Sequence, residues 1–232
     1  MKADVGGFVQ DPEPELLVRW YQAAALQPFF RGHSAMVTKR REPWLFGEEV
    51  TAAIRTTIQQ RYCLLPYWYT LFHKAHTSGQ PPVRPLWVEF PQEEETFTED
   101  SQYMIGGALL ACPVTEPGVQ DVKIFLPGSA EVWYDIYSGK AYIGGRALIL
   151  PVTLDTVPVF QRGGSMVCRS TGSGTCTADF QLLPHAVTVA LNCQGRADGE
   201  LYLDDGHSFK YRDRKAFCRR RFTMLSGRLL SR

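Results

Sequence analysis

Hydrophobic positions change their period once along this chain, near residue 80. Between Leu16 and Ala24 the apolar side chains Leu16, Leu17, Trp20, Tyr21 and Ala24 recur at i, i+1, i+4, i+5 and i+8. That spacing predicts one buried helix face, with Asp11 as its cap and Pro12 at its first position. A second helical pattern is predicted from about Glu48 to about Thr77, with Val50, Ile54, Ile58, Leu65, Tyr69 and Phe72 inward and a kink at Pro66. Gly79-Gln80-Pro81-Pro82 stops it. With a short apolar strand at the start and a strand-end loop between the helices, residues 1–79 read as the alternation of α/β units.

From Val83 the pattern shortens to β-rich runs separated by turn residues. The predicted strands are Leu86–Phe90, Tyr103–Pro113, Val122–Leu126, Val132–Ile136, Ala147–Pro151 and Val157–Gln161. A Ser-, Thr- and Gly-rich stretch at Arg169–Thr177 reads as a long loop or linker. Beyond it Ala186–Leu191, Gly199–Leu203, Phe209–Arg212 and Phe217–Met224 read as a second, smaller β-module. The fold class is therefore α/β plus all-β, with antiparallel strands in the second part.

Composition narrows the function classes. The chain has 232 residues, 44% of them apolar, enough for one large or two to three small domains. With 25 basic against 24 acidic residues, nothing in the charge balance points to nucleic acid or to an anionic membrane, and neither is expected as a partner. No apolar run approaches the roughly 20 residues needed to span a bilayer. Six cysteines stand at positions 63, 112, 168, 176, 193 and 218, without a C-x-x-C pair or zinc-type histidine spacing. Cys168 and Cys176 flank a flexible segment and are placed to pair in an oxidising compartment, or to remain free thiols.

Chemistry concentrates in two strings, Ala3-Asp4-Val5-Gly6-Gly7-Phe8 and Pro28-Phe29-Phe30-Arg31-Gly32-His33. A glycine pair directly after a short strand lets the backbone turn away, leaving Asp4 at the strand's C-terminal end, where α/β barrels bind substrates. Taken singly, Asp-x-Gly-Gly is a common turn and a lone histidine is more often a surface or core residue. Leu203-Asp204-Asp205-Gly206-His207, between Leu201-Tyr202 and Phe209-Tyr211, reads as a β-hairpin turn, with too few oxygen ligands for calcium, so no metal is assigned. The basic residues from Lys210 to Arg221 read as a solvated edge strand or hairpin.

With Pro14–Gln22, Arg40-Arg41-Glu42-Pro43-Trp44-Leu45, Arg84-Pro85-Leu86-Trp87 and Leu203–His207, these strings resemble glycoside hydrolase family 31, the retaining α-glucosidases. Lys39–Glu48 and Leu201–Phe209 point to its neutral α-glucosidase branch. The resemblance implies the last two β/α units of a (β/α)8 barrel over 1–83, a proximal antiparallel β-sandwich-like domain over 84–168, and part of a distal one over 169–232. It implies Asp4 as the carboxylate accepting from sugar hydroxyls, Phe8 as an apolar wall, His33 as a donor to the sugar and Arg31 in support. Family members carry the nucleophile in a Trp-x-Asp-Met-Asn-Glu motif upstream of the Asp4 string, with the acid/base between the two. Neither segment is in these residues, so no catalytic residue is assigned and the 232 residues alone are expected to be inactive.

An α-glucoside or glucan is the substrate so implied, with no cofactor. If the chain follows the two-subunit glucosidases of that branch, a regulatory β-subunit is implied as well. The compartment implied is the endoplasmic reticulum lumen if the chain follows those two-subunit glucosidases, and the cytoplasm otherwise. The alternative function is a non-catalytic carbohydrate- or partner-binding β-module, for which exposed aromatics such as Trp87 or Trp133 would be the mark.

Overall fold

The computed structural model describes residues 4–172 and 174–232. Three helices dominate the first third: α1 (Pro14–Ala25), α2 (Glu48–Cys63) and α3 (Leu65–Ser78). Before α1, Asp4–Val5 pairs in parallel with Arg31–Gly32, in the register Asp4 to Arg31 and Val5 to Gly32. Val5, Leu17, Val18, Tyr21, Ala24, Val50, Ala53 and Ile54 form one buried cluster, so α1 and α2 close over this short sheet.

Several expected elements differ. Helix α1 begins at Pro14, not Pro12, and its extended N-cap is Glu13; Asp11 instead accepts from the backbone N–H of Lys39 at 2.8 Å. The single kinked helix over 48–77 is two helices meeting at Leu64, because Pro66 occupies the first turn of a new helix, where a missing N–H costs nothing. The restart turns the buried face. Tyr67, Trp68, Thr70 and Leu71 point inward, whereas Tyr69 and Phe72, expected inside, are partly exposed, as is Leu16 on α1.

The second part contains a six-stranded antiparallel sheet, in spatial order Val83–Arg84, Tyr103–Ile105, Leu109–Ala111, Val159–Arg162, Val132–Asp135 and Ala141–Ile143. Its two faces feed different cores, as the two-residue period of a strand requires. Ile105, Leu109, Ala111 and Val159 pack with Tyr67, Trp68 and Leu71 of α3. Met104, Leu110, Trp133 and Phe160 face the other way, onto Ile124 and Leu126 of the antiparallel ribbon formed by Asp121–Leu126 and Arg146–Pro151. The Tyr103–Pro113 run is broken at Gly106, whose φ of +59° and position 2.3 Å from the Tyr67 hydroxyl oxygen, measured from an added Cβ, leave room for glycine alone.

The five-stranded sheet runs His185–Ala190, Ser165–Ser170, Ala197–Leu203, Cys218–Leu225, Arg228–Ser231. It is antiparallel except where Ser165 meets Asp198 in parallel. Strand Ser165–Ser170 crosses the expected boundary at 168/169, and Arg169 and Ser170, placed in a linker by composition, are ladder residues paired with Ala186 and His185. Leu86–Glu89 is a helical turn rather than a strand, burying Leu86 and Phe90 on one side, and Lys210–Asp213 is another. The segment Leu203–Cys218 is a long connection and not a tight hairpin, and Arg219–Arg221 lie on an interior strand rather than an edge. All six cysteines are free thiols, Cys168 buried and Cys176 exposed. No helix among the described residues is long and apolar enough to cross a membrane.

Helix α3 is also the seam to this third sheet. The Tyr202 N–H donates to Thr70 Oγ1 at 3.0 Å, and the Tyr202 ring stacks on His73 with centroids 3.6 Å apart. Lys74 Nζ and Arg219 Nη2 both reach Glu200, at 2.6 and 2.9 Å. Tyr69 and Tyr202 both donate their hydroxyls to Asp204.

Candidate functional site

The parallel pair of two-residue strands brings both chemical strings to one place. Because Asp4 and Arg31 are register partners, their side chains leave the sheet together, and Arg31 Nη2 donates to Asp4 Oδ1 at 2.5 Å. The Arg31 guanidinium also lies 5.3 Å from the centre of the Phe29 ring. Asp4 is mostly covered, with a side chain 18% exposed, and Arg31 half open at 50%. Phe8, just past the Gly6-Gly7 turn, and His33, the residue directly after the second strand, meet with ring centroids 5.5 Å apart and planes at 34°. The Ala35 N–H donates to the Phe8 carbonyl at 2.8 Å, tying the two loops by their backbones.

Gly6 and Gly7 make this approach possible. Both sit in the left-handed region, with φ of +88° and +87°, and a Cβ on Gly6 would come within 2.8 Å of Leu17 Cδ1. The Gly7 N–H closes the turn onto the Asp4 carbonyl at 2.8 Å.

Two residues that hold the site were absent from the sequence-based set. Arg41, 6% exposed, donates through Nη1 to the carbonyls of Gly6 (2.8 Å) and Gly7 (2.6 Å) and through Nη2 to that of Gln10 (3.0 Å). Arg61 does the same for the other string, donating to the carbonyls of Ala25 (2.8 Å), Gln27 (2.6 Å) and Pro28 (3.1 Å) while lying 5.0 Å over the Phe30 ring. Burial pulls the Arg61 guanidinium down to about 10, still fully charged at neutral pH. Arg41 stands inside the quoted Arg40–Leu45 stretch, which was its only sequence signal; Arg61 had none.

The carboxylates weighed as alternatives are scaffold. Glu42 is held by Arg40 at 2.6 Å on the surface, and Glu48 and Glu49 occupy the first turn of α2. Asp205 accepts from the His207 and Ser208 N–H groups and the Ser208 hydroxyl, and no group of three or more metal-ligating side chains stands together among the described residues. Trp133 is fully buried, its indole N–H donating to the Pro127 carbonyl at 2.8 Å, so it has no face to offer a sugar; Trp87 is 47% exposed.

A carboxylate braced by a guanidinium, beside an aromatic ring and an imidazole, is an arrangement for holding a polyhydroxylated ligand, not for breaking bonds by itself. Residues 1–71 match the model of the glycosyl hydrolases family 31 TIM-barrel domain, and residues 79–167 that of the glycosyl hydrolase family 31 C-terminal domain. The chain belongs to glycosyl hydrolase family 31. Similar proteins include the neutral alpha-glucosidase C of Mus musculus, 57% identical over 99% of this chain, and the neutral alpha-glucosidase AB of the same species, 52% identical over 99%. Among solved structures, the Tris-bound glucosidase II alpha subunit superposes with a TM-score of 0.95 at 37% identity over 99% of this chain. A dextranase of Flavobacterium johnsoniae complexed with glucose gives 0.83 at 30% over 95%. The chain spans about a quarter of the length of these relatives: 26% and 24% of the two alpha-glucosidases, 25% of the glucosidase II subunit and 27% of the dextranase. The tail of a family 31 barrel followed by the family's C-terminal domain is thus the architecture of residues 1–167.

Proposed function

We propose that this chain is the sugar-holding side of a retaining α-glucosidase that releases terminal α-linked glucose. Asp4 accepts from adjacent sugar hydroxyls, Phe8 walls the ring, His33 donates to the sugar and Arg31 fixes the carboxylate. The observation that carries the reading is the register pairing of Asp4 with Arg31, with Phe8 and His33 in ring contact beside it. By the family resemblance, the nucleophile sits in a Trp-x-Asp-Met-Asn-Glu motif that these 232 residues do not contain, and retention needs a second carboxyl group roughly 5–5.5 Å from it, so no catalytic residue is assigned to this chain.

In domain terms, residues 1–83 supply the last two β/α units of the barrel, 84–168 a proximal sandwich-like β-domain, and 169–232 part of a distal one. The strand Ser165–Ser170 joins the last two. A neighbouring structure, the glucosidase II heterodimeric complex of catalytic subunit and regulatory-subunit binding domain, supports a regulatory β-subunit as partner. The endoplasmic reticulum lumen or the cytoplasm is the compartment proposed with it.

The test is kinetic. In the intact polypeptide, Asp4→Ala should lower kcat/KM on a chromogenic α-glucoside by at least about 100-fold, the loss of two charge-assisted hydrogen bonds of roughly 1.5–3 kcal/mol each. His33→Ala should act mainly through KM. The 232 residues alone should show no turnover. Hydrolysis by the isolated chain that disappears on Asp4→Ala would overturn this division of labour, and full activity of Asp4→Ala in the intact enzyme would overturn the sugar-holding role.

A further inference from the structure

A cavity of about 310 Å³ lies where α1, α2, the turn after strand Val132–Asp135 and strand Ser165–Ser170 converge. Two guanidinium groups line it, Arg61 from α2 and Arg169 from the strand, and no aspartate or glutamate does. The remaining polar lining is uncharged, including Gln59, Gln60 and the Tyr137 hydroxyl that approaches Gln60 Oε1 at 3.4 Å.

The two arginines differ in how they are satisfied. Arg61 spends its donors on three backbone carbonyls. Arg169, partly exposed as a whole, has Nε and Nη2 buried without a hydrogen-bond partner, and the groups that act on its charge are Tyr137 and Cys63, with no carboxylate of the described residues among them. Burial pulls its pKa below the ordinary arginine value without discharging it at neutral pH. Taking most of a charged group out of water without a counter-charge is unfavourable, and proteins normally pair or ligate such a group. A cavity carrying two positive charges and no negative one therefore favours an anion. Its volume stands at the small end of ligand pockets, roughly 300–1,000 Å³.

We propose that this junction binds a small oxyanion, a phosphate- or carboxylate-bearing molecule, with Arg169 as its counter-charge and the Gln59 and Gln60 amides as neutral donors beside it. The site is separate from the Asp4 group, and it does not depend on the sugar-holding reading. It touches the same Arg61 that fixes the approach to Arg31 and His33, so the anion completes the charge balance of the scaffold behind the sugar-facing strings.

The experiment is thermal unfolding of the intact protein while chloride is exchanged for inorganic phosphate at constant ionic strength, with acetate as a parallel arm. The expected result is a saturable rise in Tm of about 2–8 °C. A rise with phosphate alone assigns the phosphate class, and a rise with acetate as well assigns carboxylates too. Arg169→Met should abolish the rise and, without anion, unfold at the wild-type temperature or above it, because an uncompensated charge is gone. Gln60→Glu places a carboxylate in the lining; it should raise Tm without phosphate and remove the response, and it serves if Arg169→Met does not fold. No saturable rise in the wild type with either anion, or an equal rise in wild type and variants, overturns the proposal.

Discussion

The site-bearing part and the β-part of this molecule are held together by different physics. In the β-part, a six-stranded ladder alternates its side chains into two dry clusters, and each strand is fixed by its neighbours. Around Asp4 the sheet is two residues long on each strand, and backbone carbonyls left without a ladder or helical partner, in the Gly6-Gly7 turn and at the C-terminal end of α1, are taken instead by the Arg41 and Arg61 guanidinium groups. Ladders specify a fold but point side chains only up or down. An arginine spanning three carbonyls can fix the path of an irregular loop, Arg41 that of Gly6–Gln10 and Arg61 that of Ala25–Pro28, while the strand pair and the Ala35 N–H on the Phe8 carbonyl bring the two loops together.

The sharpest way to break one side without the other is Phe160→Ala. Phe160 is fully buried on the strand that pairs with both Leu109–Ala111 and Val132–Asp135. Its truncation should cost about 3–5 kcal/mol, read as a fall in the urea midpoint of the intact protein. Under native conditions the Phe8–His33 contact should survive it. A loss below about 1 kcal/mol would mean that the six-stranded sheet is not the stability core argued for here.

Arg41→Ala reverses the pattern. Three carbonyls lose a charged donor in a place largely closed to water, an expected cost of about 2–4 kcal/mol, and the loss should be local. Backbone amide exchange of Gly7 and Ala35 should accelerate while amides of Leu109–Ala111 keep their protection. Arg41→Lys should recover only part, since one ammonium cannot reach the fork of three acceptors. Equal acceleration in both regions would merge the two regimes into one cooperative unit.

The same contrast explains what could be read from the chain beforehand. Asp4, Phe8, Arg31 and His33 were legible because a glycine pair and two strings at family spacing advertise them. The strands within 103–113 and 157–161 were legible because short apolar, β-rich runs bounded by turn residues mark strands that are buried on both faces. Tyr69 and Phe72 were misplaced because the restart at Leu64 shifts the helical phase, and periodicity alone carries a pattern straight across such a break. Leu86–Phe90 has strand-like composition, yet Leu86 and Phe90 at i and i+4 bury on one side of a helical turn; tertiary packing outweighed propensity. The carbonyl-binding roles of Arg41 and Arg61 were illegible, because a carbonyl partner is the same at every residue and leaves no side-chain signature; only Arg41 fell within a stretch the resemblance marked.

The smallest effect tests the seam between helices and the five-stranded sheet. Burial by itself pushes the Glu200 carboxyl up, but hydrogen bonds from Lys74 and Arg219, with their charges, outweigh it and hold the group below the ordinary glutamate value. A carboxyl whose folded value is depressed stabilises the fold above the unfolded value of about 4.3 and ceases to do so as pH falls through the folded value. Glu200→Gln should therefore lower stability at pH 7 by at most about 1 kcal/mol, given the partial exposure of both cations. Below the folded value the wild type and the variant should converge, since both then carry a neutral side chain in the same place. The comparison is a pair of urea midpoints, one at neutral pH and one in acid. A difference that persists undiminished in acid would assign the seam to packing of His73 and Thr70 on Tyr202 and leave the Lys74–Glu200–Arg219 charges without a role in it.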